Sequence, residues 1–270
     1  MQTARANGIN VTWDDLRRIS GCWRGRLGII TPKFISNFIS SYSLERKPRT
    51  VLDPWASTGS LLIPIVRNCD ILDATGITLN VEEVEVAKLM SDDLPVRWIS
   101  AQSRLALPSL GSFDLIVSLP PFGLQSQTVY SVRDEQISEI RDSETSLLVL
   151  ESAQHLSADG VGIFLMPNSF FRFSKNGVRS SLARFDLFID AVIALPAGVF
   201  SPVMAIPSNI VFISRTEKHK LFVGQLSEGA DYRQLLQNLR THVPGASAEL
   251  GLLIEDSEFI SWQQIGRAHV

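Results

Sequence analysis

Short apolar runs rich in β-branched residues alternate with helical patterns along most of this chain, and few folds accommodate that alternation. Residues 49–53, 71–77, 96–100, 113–118, 161–166, 189–195 and 208–214 read as seven strands. Residues 60–66, 81–90, 144–156 and 175–185 read as helices between them. The run Ser157-Ala158-Asp159-Gly160 marks a helix stop, with Gly160 expected in the left-handed region. Strands separated by helices pair in parallel and are covered on both faces. The expected fold is therefore α/β, a doubly wound and mostly parallel sheet. Residues 221–226 read as an edge strand and 232–239 as a short helix, and beyond them the signal fades.

Ligands in such sheets sit beyond the C-terminal strand ends, near the point where the strand order reverses. The turns after Leu52, Ile77, Ser100 and Ser118 are thus where chemistry is expected. The first is Asp53-Pro54-Trp55-Ala56-Ser57-Thr58-Gly59-Ser60. A glycine at the mouth of a helix lets a ligand approach the backbone, and Asp53 at a strand end suits a cation. A buried turn that caps a helix explains the same residues equally well. The fourth turn, Leu119-Pro120-Pro121-Phe122-Gly123, sets two rigid prolines and an aromatic ring at the sheet mouth.

Taken together, these turns resemble the adenine-N6 DNA methyltransferases, in particular the modification subunits of type I restriction systems. Thr31-Pro32 stands where that family has a Thr-Pro near the methionine end of S-adenosylmethionine. Asp53-Pro54 and Thr58-Gly59-Ser60 match the family's cofactor loop, usually Asp-Pro-Ala-Cys-Gly-Thr-Gly. Pro120-Pro121-Phe122 matches its Asn-Pro-Pro-Phe catalytic loop, and residues 195–200 and 207–210 resemble the segment around the last two strands. The resemblance spans roughly residues 25–240. It implies the seven-stranded class I S-adenosylmethionine-dependent methyltransferase sheet, with an antiparallel seventh strand. It also implies S-adenosylmethionine as cofactor and DNA as partner, and, since no target-recognition domain is evident, sequence specificity is expected in a separate specificity subunit or in further C-terminal sequence.

Five positions depart from the family pattern. Its target adenine is flipped out of the duplex, and an Asn oxygen and the next Pro carbonyl accept the two N6 hydrogens. Here the Asn position is Leu119, which accepts nothing. Loss of one such transition-state bond costs on the order of 10²–10³ in rate. Thr78 and Gln102 stand where carboxylates usually hold the ribose hydroxyls and the adenine amine. Ser57 replaces a glycine, and Trp55 replaces a small residue. The expectation is a methyltransferase-like domain with weak or lost cofactor binding and doubtful activity. Two alternatives stay open: an inactive DNA-binding or assembly subunit, and a methylase of another amine or amide in RNA or protein.

Composition narrows the class further. At 45% hydrophobic residues the chain is too apolar to be disordered, and no apolar run reaches membrane-spanning length. Two cysteines make no disulfide framework, four scattered histidines make no zinc pattern, and a cytoplasmic setting without a signal peptide is expected. Residues 1–49 hold nine Lys/Arg against three Asp/Glu, whereas the remainder holds 16 against 25. This basic N-terminal segment would lie along a polyanion or be a solvated helix face. The expected organisation is that basic segment at 1–49, a methyltransferase-type domain at 50–216, and an edge strand with a helix at 217–264. Residues 265–270, Ile-Gly-Arg-Ala-His-Val, match the in-frame translation of a common sequencing adapter and are expected to be a scar.

Overall fold

A computed structural model describes residues 12, 15–16, 29–91, 93–123, 125–133, 136–172, 174–201, 204–255 and 258–259. The 265–270 tail and most of the basic segment, including Arg17, Arg18, Arg24 and Arg26, lie outside the described residues. The chain enters through α1 (Lys33–Arg46), β1 (Thr50–Asp53), α2 (Leu62–Asn68), β2 (Asp73–Thr78), α3 (Val81–Met90) and β3 (Val96–Ser100). A short α4 (Ser103–Ala106) leads to β4 (Phe113–Ser118), a hairpin of β5 (Ser126–Arg133) and β6 (Gln136–Ser143), α5 (Glu144–Ala153) and β7 (Leu156–Pro167). Then follow α6 (Val178–Ser181), β8 (Phe188–Ala194), β9 (Ser208–Ser214), β10 (Leu221–Gln225), α7 (Arg233–Thr241) and β11 (Leu252–Ile254).

Among the described residues nine strands form one sheet in the order β11-β10-β8-β9-β7-β4-β1-β2-β3. The pairs from β7 through β4, β1 and β2 to β3 are parallel, and β9 runs antiparallel to both β7 and β8. The expected α/β sheet, its seven strands and the antiparallel seventh are thus present. Two more strands continue it, β10 parallel to β8 and β11 antiparallel to β10. Chain order reverses between β1 and β4, which opens the crevice above their C-terminal ends.

Strand alternation divides the core between the two faces. Val51, Leu115, Val117 and Ile163 pack against α1 and α2. Leu52, Ile116 and Phe164 face the other way, against Leu147 and Leu150 of α5. Among the described residues no helix is long and apolar enough to cross a membrane.

The sequence expectation needs correction at three places. The β5–β6 hairpin was not expected, because its strands alternate weakly and no Asn-Gly or Asp-Gly pair marks a turn. Gly160 does not break the chain in the left-handed region. Instead β7 starts at Leu156, and its register against β4 jumps from Phe113–Leu156 to Leu115–Val161, so residues 157–160 bulge from the ladder. Glycine is needed there for close approach, since a Cβ would lie 2.8 Å from the Phe113 carbonyl oxygen. The helix expected over 175–185 is one α-turn, α6, followed by a 3₁₀ turn at Leu182–Phe185. Its start is set by tertiary contact, because the Val178 N–H donates to Asp142 Oδ2 from the hairpin at 2.9 Å.

Candidate functional site

The turn between β1 and α2 is pinned by its own backbone. The Ala56 N–H donates to the Ile77 carbonyl at 2.8 Å, and Gly59 N–H to that of Ala56 at 2.7 Å. Gly59 takes φ +82°, which only glycine adopts at little cost, and a side chain there would strike Ile63 and Trp98. Ser57 also sits in the left-handed region, at φ 48°. Thr31 is tied to the turn: its N–H donates to Ser60 Oγ at 2.9 Å. The Thr-Pro segment thereby joins the loop from which it is 29 residues distant.

Asp53 closes the C-terminal end of β1 with 1% of its surface exposed. Burial pushes its carboxyl up to about 8, opposed by the Trp55 N–H, which donates to Oδ1 at 3.0 Å, and by Ser118 beside it. The Ser118 hydroxyl is itself buried and forms no hydrogen bond of ordinary geometry. Its proximity to Asp53 therefore counts as an electrostatic contact.

Two adjoining cavities occupy the crevice. The smaller, about 290 Å³, is lined by Thr31, Asp53, Ser57, Ser60, Glu83 and Leu119. The larger, about 460 Å³, holds Gln102, Arg104, Leu105, Leu148 and Glu151. Trp55, Leu79 and Pro121 line both, so the indole stands at the boundary between them. Leu79 and Leu105 are 56% and 74% exposed and form an apolar lip on the larger cavity. Arg104 crosses it to grip Glu151 through Nε and Nη2, both at 2.6 Å, and donates to Gln127 Oε1 at 2.9 Å.

Thr78 at the end of β2 is buried and donates its hydroxyl to Glu83 Oε2. The Ser57 hydroxyl donates to Glu83 Oε1 at 2.9 Å. A carboxylate thus does stand at the mouth of β2, brought from the first turn of α3. The sequence reading missed Glu83 because Asn80-Val81-Glu82-Glu83 reads as a helix cap with its acid at the third helical position.

The catalytic-type loop follows β4. Leu119 is 7% exposed and belongs to the main hydrophobic cluster. Phe122 packs edge-on against Phe200, ring centroids 6.4 Å apart, and the Pro121 carbonyl accepts the Thr145 hydroxyl. Of the sequence candidates, Thr31, Asp53, Ser60, Leu119 and Pro121 therefore meet in the smaller cavity, and Gln102 and Pro121 in the larger. Pro32, Thr58, Gly59, Thr78, Pro120 and Phe122 line neither: they shape the turns and hold the residues that do. Among the described residues no group of three His, Cys, Asp or Glu is placed to hold a metal ion.

The crevice has features that suit S-adenosylmethionine: a mixed slot in which Trp55, Leu79, Leu105 and Leu148 stand beside the Gln102 amide and the Arg104–Glu151 pair, and two buried carboxyls, Asp53 and Glu83, in the adjoining cavity. The fold is shared with the methyltransferase subunit of a type I restriction-modification system from Streptococcus thermophilus. The TM-score is 0.68 at 17% identity, over 86% of this chain and 57% of that one. A Listeria monocytogenes protein assigned to the class I S-adenosylmethionine-dependent methyltransferases gives 0.63 at 18% identity, over 85% and 79%. In sequence, the uncharacterised protein YtxK of Bacillus subtilis is 24% identical over 179 residues, 62% of this chain and 52% of that protein. The chain thus spans about half the length of that relative. The model of the N-6 DNA methylase family matches residues 25–241, more than three quarters of the sequence, and the chain belongs to that family.

Proposed function

We propose that this chain is a restriction-modification-type adenine-N6 methyltransferase domain that binds S-adenosylmethionine and transfers its methyl group to DNA poorly or not at all. The observation that carries this reading is Leu119, buried in the main core where the reaction requires an acceptor for the adenine amine. Neither neighbour replaces it. Ser118 Oγ is buried against Asp53, and the Pro121 carbonyl is taken by Thr145. Phe122 and the Pro120 carbonyl keep the stacking ring and one backbone acceptor.

When bound, S-adenosylmethionine supplies an electrophilic methyl group on sulfur. Around it, Asp53 would meet the ammonium end, Thr31 and Ser60 would bound that end, and Gln102 would face the adenine edge from between Leu79 and Leu105. Trp55 narrows the passage between the cavities, and Gln102 offers an uncharged partner where a carboxylate would serve better. Losing one charge-assisted hydrogen bond weakens binding by about 1.5–3 kcal/mol. We expect a dissociation constant of roughly 10–100 μM.

The test pairs calorimetric titration of S-adenosylmethionine with labelled methyl transfer to mixed-sequence DNA, digested to score N6-methyladenosine. Binding without transfer supports the reading, robust transfer overturns its catalytic half, and no binding at about 1 mM overturns its cofactor half. The DNA partner rests on the family and on the basic segment. Substituting Arg17, Arg18, Arg24 and Arg26 together by Ser should flatten the salt dependence of DNA binding. A separate specificity subunit and a cytoplasmic setting belong to the same reading.

A further inference from the structure

We infer that Glu83 is the specificity-determining carboxylate of this cleft, recognising a pair of adjacent hydroxyls on the ligand, and that Ser57 and Thr78 are its positioning residues. The inference rests on the cofactor reading above and assigns a role to a residue five positions beyond the strand end where the family's acid is expected.

Glu83 is 8% exposed and lines the smaller cavity together with Asp53. A carboxylate is rarely buried unless its oxygens are satisfied. Here Oε1 accepts from Ser57 and Oε2 from Thr78, one hydroxyl each. An ionised carboxylate accepts about four hydrogen bonds, so each oxygen keeps roughly one acceptor site for a ligand. Two such sites side by side suit a vicinal diol, as in ribose.

The side chain is not spent on capping its helix. Asn80 caps α3 by accepting the Glu82 N–H at 2.8 Å, and the Asn80 N–H itself approaches Thr78 Oγ1 at 3.4 Å. Glu83 reaches instead across to a loop 26 residues earlier in the chain. Ser57 holds a left-handed conformation that is unfavourable for a non-glycine residue. Its hydroxyl is what a glycine there could not supply, and it fixes one Glu83 oxygen. Thr78 fixes the other. The two departures that suggested a degraded site are therefore the two donors that orient one buried carboxylate.

The experiment is calorimetric titration of the full chain with S-adenosylhomocysteine and with its 2′,3′-dideoxy analogue. For S-adenosylhomocysteine, Glu83→Gln should weaken binding about 10–100-fold, while for the dideoxy analogue the two proteins should bind within about threefold of each other. The double variant Thr78→Glu with Glu83→Ala, which moves the carboxylate to the strand end, should recover most of the lost affinity. Thermal unfolding confirms that each variant is folded. Unchanged affinity in Glu83→Gln overturns the assignment. An equal loss for both ligands also overturns it, since a purely structural role would act that way. Failure of the unmodified chain to bind either ligand would instead remove the cofactor reading, and this one with it.

Discussion

The indole of Trp98 on β3 lies directly over Gly76 on β2, leaving no room for a side chain: a Cβ on Gly76 would come within 2.6 Å of Trp98 Cε3. The same indole reaches Gly59, where a Cβ would lie 2.7 Å from Cη2, and its Nε1 donates to Ser91 Oγ at 3.0 Å. One ring thus supports the turn above β1 from below. Gly76→Ala should cost about 1–3 kcal/mol by overpacking. Because the contacts under 3 Å are with this indole, and Ala56 Cβ stands next at 3.2 Å, Trp98→Leu should relieve most of the clash. Urea denaturation of the two single variants and the double would show a coupling of at least about 1 kcal/mol. Additive costs would mean that the backbone, and not the indole, sets the limit.

Asp53 makes stability depend on pH in the direction opposite to a paired surface carboxylate. Its folded value of about 8 lies above that of the unfolded chain, about 4. Below pH 4 both states hold the proton and no penalty exists. As pH rises from 4 to 8 the unfolded state ionises first, so stability falls, by up to about 1.4 kcal/mol per unit from this group. Asp53→Asn should be the more stable protein at pH 7–8 and lose this part of the slope, as a pH series of denaturation curves will show.

The same carboxyl predicts a proton signal on binding. A ligand ammonium placed beside Asp53 favours its charged form, so binding at pH 7 should release a fraction of a proton. Calorimetry in buffers of different ionisation enthalpy measures it directly. A buffer-independent heat would place the ammonium elsewhere.

Leu119→Asn should first be a stability variant. It exchanges buried aliphatic surface in the main core for an amide, at an expected cost of about 2–4 kcal/mol. Methyl transfer to DNA should rise little with this change alone, since Gln102 still lacks a charge. Adding Gln102→Asp should give more than the two single effects combined. Thr78→Glu with Glu83 retained should not help, because it would set two carboxylates together.

Arg104 tests the larger cavity. Its grip on Glu151 is bidentate, with both side chains a little over a quarter exposed. Arg104→Ala should destabilise by about 1–2 kcal/mol and loosen the link to Gln127 at the base of the hairpin, seen as faster hydrogen exchange in β5. Arg104→Lys, which loses the fork but keeps the charge, should recover less than half.

Most of the scaffold is legible in the chain because it depends on local period and composition. β3, β4, β9 and α3 form over the residues whose alternation or helical spacing marks them, and the loop residues Asp53, Gly59 and Pro120 declare themselves by type and order. The hairpin, the bulge before Val161 and the short α6 are not legible, because each depends on a partner distant in sequence: Asp142 for α6, Phe113 for the bulge. The site divides the same way. That Leu119 cannot accept a hydrogen bond is a property of leucine, evident from its letter alone. That a carboxylate nonetheless stands at the end of β2 was decided only by folding. A glutamate on the first turn of a helix can cap, face water or turn inward, and those outcomes lie within a few kcal/mol of one another. Here the Ser57 and Thr78 hydroxyls, which the chain brings together only when β1 and β2 pair, turn Glu83 inward.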